Sequence, residues 1–136
     1  MIKKSLKILH IEPDKQITNL VKLTLNRTAE VKGVSRYLDA EKIFFNRFAS
    51  YNFNMIILEL FGRTANDGAR FMKKLKEYNI NIPVIVLTLC TQTIYQKNAK
   101  DNGAKHYFTK PFLPDEFEKI VRQVYMEYVI EEGKKK

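Results

Sequence analysis

Two segments of this chain have no polar face. Met55-Ile56-Ile57-Leu58 and Pro83-Val84-Ile85-Val86-Leu87-Thr88 are apolar runs without alternation. A strand that is wet on one side alternates, whereas an unbroken apolar run is covered on both sides. Such strands demand a sheet with a layer on each face, and the segments between them have to supply those layers.

The intervening segments have helical spacing. Asp14 suits a helix cap, and Ile17, Leu20, Val21 and Thr24 recur at helical intervals in a helix running to about Arg27. Leu38 to Phe48 predicts a second helix and Gly68 to Tyr78 a third, the latter with Phe71, Met72 and Leu75 inward. Gln92 to Asn102 predicts a fourth, closed by Gly103. Pro114 opens a fifth, with Phe117, Ile120, Val121, Val124, Tyr128 and Val129 on the 3.6-residue period and Gly133 as its expected end. Three further strands are read at Leu6 to Ile11, Val31 to Ser35 and Lys105 to Thr109. The order is five βα units, with a polar loop from Gly62 to Gly68.

Strands joined by helices of this length make a parallel sheet with right-handed crossovers. Ligands of such folds gather at the carboxyl ends of the strands. Those ends carry Glu12-Pro13-Asp14, Glu59, Thr88 and Lys110-Pro111. Carboxylates, a hydroxyl and an ammonium are therefore expected on one rim.

Length and composition narrow the classes. The 136 residues suit one domain, expected over 1–132 with a basic tail at 133–136. With 45% hydrophobic and 29% charged residues the composition is that of a globular chain. One cysteine, Cys90, excludes an internal disulfide and a Cys-based zinc cluster. It is read as inert. His10 lies mid-strand among apolar residues and is read as a core histidine. No apolar run approaches the roughly 20 residues that span a bilayer, and the segment before Glu12 is too short for a signal-peptide core, so a cytoplasmic protein is expected.

The net charge is +9, from 24 Lys and Arg against 15 Asp and Glu. Most lysines are dispersed. The denser places are Arg70, Lys73, Lys74 and Lys76, and the tail Lys134-Lys135-Lys136. These runs are short for a nucleic-acid arm, and a solvated surface is the better reading. Flavin or nucleotide binding lacks a Gly-rich phosphate loop.

The rim residues resemble the receiver domain of two-component response regulators, over about Leu6 to Val129. Asn54 to Glu59 resembles the family's third strand, which ends at its phosphoacceptor. Pro83 to Thr88 resembles the fourth, with its hydroxyl. Gly103-Ala104-Lys105-His106-Tyr107-Phe108-Thr109-Lys110-Pro111-Phe112 is the most specific stretch and resembles the fifth, with its Lys-Pro. Asp67-Gly68 resembles the opening of the third helix. The resemblance implies a flavodoxin-like α/β fold, strand order 2-1-3-4-5, and a non-enzymatic signalling domain.

The departures from the family are chemical. Its phosphoacceptor is Asp, and here the position is Glu59. Its first strand ends in two acidic residues that hold Mg²⁺, and here they are Glu12 and Pro13. The residue after the hydroxyl is usually small, and here it is Leu89. Thr88, Tyr107 and Lys110 are retained. Phosphoryl transfer needs in-line geometry and a metal. The extra methylene of Glu59 misplaces the carboxylate, Pro13 removes an oxygen ligand, and Leu89 is expected to crowd the incoming group.

Glu59 is expected to reach Lys110, with Thr88 donating to it, because a buried carboxylate must be paired. Two readings follow: a mimic of the phosphorylated state that holds one conformation, or a structural ion pair without a switch. Glu12, Asp14 and Glu59 offer a loose cation site, against the plainer reading of Asp14 as a helix cap.

The expected function is thus a receiver acting through protein contacts and independent of aspartyl phosphorylation. The alternative is a receiver that still binds Mg²⁺ and accepts a phosphoryl group from a histidine kinase or a small phosphodonor. Partners implied by the resemblance are a histidine kinase, an output protein or a second copy. The docking face would be the fourth helix, fifth strand and fifth helix, with Tyr95, Lys97, Lys105, Tyr107, Arg122 and Tyr125.

Overall fold

The computed structural model describes residues 5–46 and 50–135. Ten elements alternate: β1 (Leu6–Ile11), α1 (Lys15–Thr24), β2 (Ala29–Val34), α2 (Tyr37–Phe44), β3 (Met55–Leu58), α3 (Asp67–Glu77), β4 (Val84–Thr88), α4 (Thr93–Asp101), β5 (His106–Thr109) and α5 (Pro114–Lys134). The five strands form one parallel sheet in the order β2-β1-β3-β4-β5. This is the flavodoxin-like order the resemblance implied.

The unbroken apolar runs are explained by two cores, one on each face of the sheet. Alternate strand residues point to opposite sides. Leu6, Ile8, Met55, Ile57, Ile85, Leu87 and Phe108 meet Val21 and Leu25 around α1, and Phe117, Val121 and Val124 of α5. Leu9, Ile11, Ile56, Leu58, Val84 and Val86 meet Ala40 and Phe44 of α2, Phe71, Met72 and Leu75 of α3, and Ala99 of α4. Every residue of β3 and β4 is buried.

Several boundaries differ from the sequence reading. α1 ends at Thr24, because Leu25 turns into the core and the amides of Thr28 and Ala29 bond back to its carbonyl. β2 therefore starts two residues early, with Ala29 opposite Leu6. α2 begins at Tyr37 and ends at Phe44, and the expected end at Phe48 lies outside the described residues. Gly103 does stop α4, at φ +100. Gly133 does not stop α5, which continues to Lys134 and so takes in the start of the expected tail. Gly133 keeps a negative φ, and the Lys134–Glu131 and Lys135–Glu132 pairs, at 3.4 and 3.0 Å, brace that turn.

The dense basic run on α3 is largely engaged within the domain. Arg70 pairs with Asp67 at 2.6 Å, Lys74 lies 5.0 Å over the Phe45 ring, and Lys76 donates to the Asp101 carbonyl at 3.3 Å.

The start of α3 is fixed by a close approach. The Gly68 amide donates to the Leu60 carbonyl at 2.9 Å, and a Cβ at Gly68 would lie 2.8 Å from Leu60 Cα. Only glycine fits without moving backbone. Gly68→Ala is expected to cost about 1–3 kcal/mol, read from urea unfolding midpoints, despite alanine's better helix propensity.

Candidate functional site

The strand ends converge as their sequence positions predicted. Order β2-β1-β3-β4-β5 puts β1 beside β3 and leaves β4 between β3 and β5. Strands lie about 5 Å apart, so a group after β5 must reach past β4 to touch a group at β3. Lys110 is long enough. Its ammonium lies 2.5 Å from Glu12 Oε1 and 3.1 Å from Glu59 Oε1. All three side chains are nearly sealed, at 6%, 2% and 7% exposure. The Lys110–Pro111 peptide is cis.

Glu59 sits in a cradle of four donors. Lys110 meets Oε1, and the Leu89 amide donates to the same oxygen at 3.3 Å. The Thr88 hydroxyl and the Phe61 amide, the latter at 3.3 Å, donate to Oε2. One ammonium, one hydroxyl and two backbone N–H groups make an oxyanion cradle. The chain's own carboxylate fills it. Thr88 is fully buried, and its oxygen also accepts from the Cys90 amide at 3.2 Å. Tyr107 is half-buried and donates to the Cys90 carbonyl at 2.8 Å.

The other expected residues take different places. Pro13 is exposed. The Asp14 carboxylate accepts from the Gln16 amide at 2.9 Å and caps α1, while its own amide donates to Glu12 Oε2 at 3.2 Å. Among the described residues no group of three His, Cys, Asp or Glu side chains is arranged to hold a metal ion. With Asp14 turned to its helix and both Glu59 oxygens taken by donors, the donor set does not fit Mg²⁺.

Leu89 is a correction. It is 70% exposed, so its side chain does not fill the pocket, and its backbone N–H is what meets the site. The expected docking-face residues come from both layers that flank the sheet. Arg122 pairs with Glu118 at 3.5 Å, and Tyr125 packs against the α1/α5 core, whereas Tyr95 and Tyr107 pack against the opposite one.

Tyr37 was missed in the sequence. Its hydroxyl donates to the Glu59 carbonyl at 2.5 Å. Nothing in its spacing marks it, because it precedes the apolar pattern of its helix. Asp67, noted only for its family position, knots the loop after Glu59. It accepts from the amides of Arg63 and Thr64, at 2.7 and 3.2 Å, and from the Thr64 hydroxyl at 2.9 Å. Burial pushes its carboxyl up, but these bonds and Arg70 outweigh that and hold it low.

A cavity of about 640 Å³ lies at the other end of the sheet, lined by Leu75, Val84, Val124 and Tyr128 among others, and shares no residue with the cluster.

With this geometry the comparisons with known proteins agree. The family model of the response regulator receiver domain matches residues 8–122. The chain belongs to that family, and it is a receiver domain of two-component signalling. The transcriptional regulatory protein KdpE of Staphylococcus aureus is 34% identical over 120 residues, which cover 87% of this chain and 49% of that protein. The transcriptional regulatory protein PmrA of Pectobacterium parmentieri is 27% identical over 120 residues, covering 86% and 51%. The chain thus spans about half the length of these relatives.

Among solved structures, the beryllofluoride-activated DrrB receiver domain is 26% identical with a TM-score of 0.74, covering 89% of this chain and 97% of that one. The receiver domain of the Francisella response regulator 1452 shares the fold at a TM-score of 0.78 and 24% identity, over 90% and 98%. Receiver domains are generally non-enzymatic signalling domains that meet kinases and output domains. No helix among the described residues is long and apolar enough to cross a membrane.

Two predictions follow from the charges. His10 is fully buried in β1, as expected for a core histidine, and neither ring nitrogen has a hydrogen-bond partner. Burial first, then the charges of Lys110 and Lys22, lower its pKa to about 3. The unfolded chain takes up this proton near pH 6.5, before the native state does, so stability falls as pH drops through that window. Acidifying from about pH 6.5 to about pH 4.5 is expected to cost about 2–3 kcal/mol through this one group. His10→Leu is expected to remove that loss, as read from urea midpoints across the window.

Glu12 and Glu59 against Lys110 leave one formal negative charge in excess. Burial raises the Glu12 pKa, outweighing its bonds from Lys110 and Asp14. A raised carboxyl contributes stability that is lost as pH rises through its folded value. Glu12→Gln is therefore expected to stabilise the domain at neutral pH by about 1 kcal/mol, an advantage that shrinks in acid as the natural Glu12 takes up its proton. Thermal midpoints at the two pH values check it.

Proposed function

We propose that this domain signals through protein contacts without aspartyl phosphorylation, with Glu59 as a built-in occupant of the anion cradle. The carrying observation is the engagement of the Glu59 carboxylate by Lys110, Thr88, Leu89 and Phe61. An incoming phosphoryl group needs the same cationic and N–H donors to offset its charge. Here they are satisfied already. An attacking carboxylate must also be free to align, and Glu59 is held at both oxygens.

The occupied cradle supports a single held conformation. Thr88 is drawn onto Glu59, and Tyr107 is turned in against the Cys90 carbonyl. In this reading Glu59 mimics the phosphorylated state, and partner proteins meet a fixed surface. Tyr95 and Tyr107, half-exposed, with the exposed Lys97 and Lys105, supply anchors on the α4–β5 side. The partner is a kinase, an output protein or a second copy in the cytoplasm. Likeness to KdpE and PmrA favours transcriptional control as the output.

Amide NMR during titration with Mg²⁺ and then beryllofluoride tests this. The natural protein is expected to show no saturable shifts at Glu12, Glu59, Thr88 or Lys110. Glu59→Asp, one methylene shorter, is expected to release the Phe61 and Leu89 amides and move both resonances before any ligand is added. Saturable shifts in the natural protein that spread to Tyr107 and α5 would overturn the reading and restore a regulated phosphoswitch.

A further inference from the structure

We propose that Tyr37 is a positioning residue for the carboxylate site: its hydroxyl fixes the Glu59–Leu60 peptide so that the Phe61 N–H faces the Glu59 carboxylate. This rests on Glu59 as the occupant of the cradle.

Three consecutive residues after β3 are each held by a different bond. The Glu59 carbonyl accepts from Tyr37, the Leu60 carbonyl accepts from Gly68, and the Phe61 amide donates to Glu59 Oε2. The first bond sets the tilt of the Glu59–Leu60 peptide, and the second sets that of the next. Together they orient the amide that closes the cradle. The 3.3 Å bond from Phe61 is long, so a small rotation of this segment breaks it.

Tyr37 is built to hold this place. It is the first residue of α2, whose entry is clamped by a two-pronged bond between Arg36 and Asp39, at 3.1 and 3.0 Å. Its ring packs on Phe71 of α3 at 5.4 Å between centroids. On another side it leaves room only for glycine, since a Cβ at Gly62 would lie 2.9 Å from the Tyr37 ring. Burial, with the charges of Glu59, Asp67 and Glu12, holds its pKa well above that of a free tyrosine, so the hydroxyl stays a donor. A buried carbonyl that loses its donor carries the full desolvation penalty, and the peptide turns to seek another partner.

Tyr37→Phe separates positioning from packing, since the ring stays and the donor goes. Hydrogen exchange is read by NMR on the metal-free protein, with the Val86 amide in the sheet as the internal reference. Phe61 is expected to exchange at least tenfold faster than in the natural protein, the Leu89 resonance to move, and Val86 to stay within twofold. Phe71→Leu keeps the hydroxyl and loosens the ring, and is expected to raise Phe61 and Val86 exchange in the same proportion. If Tyr37→Phe leaves Phe61 unchanged, or raises Phe61 and Val86 together, the hydroxyl is structural only and the proposal fails. No Mg²⁺ or beryllofluoride is used. A response of the natural protein to those ligands would overturn the phosphorylation-independent reading without altering the Phe61 result.

Discussion

The ammonium of Lys110 holds the carboxyl rim of this domain together. It enters from beyond β5, passes the end of β4, and meets Glu59 after β3 and Glu12 after β1. Four of the five strands therefore end on one buried cluster. Desolvating three charges costs much of what their attraction returns, so such a cluster is weak evidence of stability. Its consequence is geometric. A charge buried this deeply must stay paired, and the strand ends that carry the partners cannot drift apart while it does. The apolar faces set the sheet, and Lys110 sets the register of what stands on its rim.

Side-chain length decides which states that rim can reach. A carboxylate on a shorter arm would sit back from the donors and leave space in front of itself. The Glu59 carboxylate instead advances to the donors, and Thr88, Leu89 and Phe61 close on it. The four donors of the site are engaged by the chain's own carboxylate. In the function proposed above, the donors that would offset the charge of a phosphoryl group are held by a tethered carboxylate. Intramolecular ligands act at a high effective concentration, which in the proposed function sets Glu59 against any free anion.

The sequence made the sheet legible because burial on both faces leaves a compositional trace. Met55–Leu58 and Val84–Thr88 could be read as central strands with no alignment, and the strand ends then brought Glu12, Glu59, Thr88 and Lys110 together by topology alone. Segments whose limits depend on tertiary partners were less legible. β2 carries a weak apolar pattern, and its start follows from Leu6 pairing with Ala29. Gly133 has the residue type of a helix stop, yet neighbouring ion pairs carry α5 past it. Leu89 shows the other limit. Its bulk is visible in the sequence, but the direction of its side chain is not, and its contribution to the site is a backbone N–H that any residue but proline would offer.

Backbone groups are where sequence reading of a site falls short. Two of the four cradle donors are amides, and the carbonyl that orients one of them is bonded by a tyrosine 22 positions away. No periodicity announces such a contact. What the sequence does show is its precondition: Gly62 and Gly68 flank the loop, and each stands where a Cβ would strike a neighbour, the Tyr37 ring and Asp67 side chain in one case and the Leu60 backbone in the other. A polar loop bounded by glycines at the carboxyl end of a buried strand marks a place where backbone must come close to something. Here it comes close to the carboxylate at the end of its own strand, with the Phe61 N–H donating to Glu59.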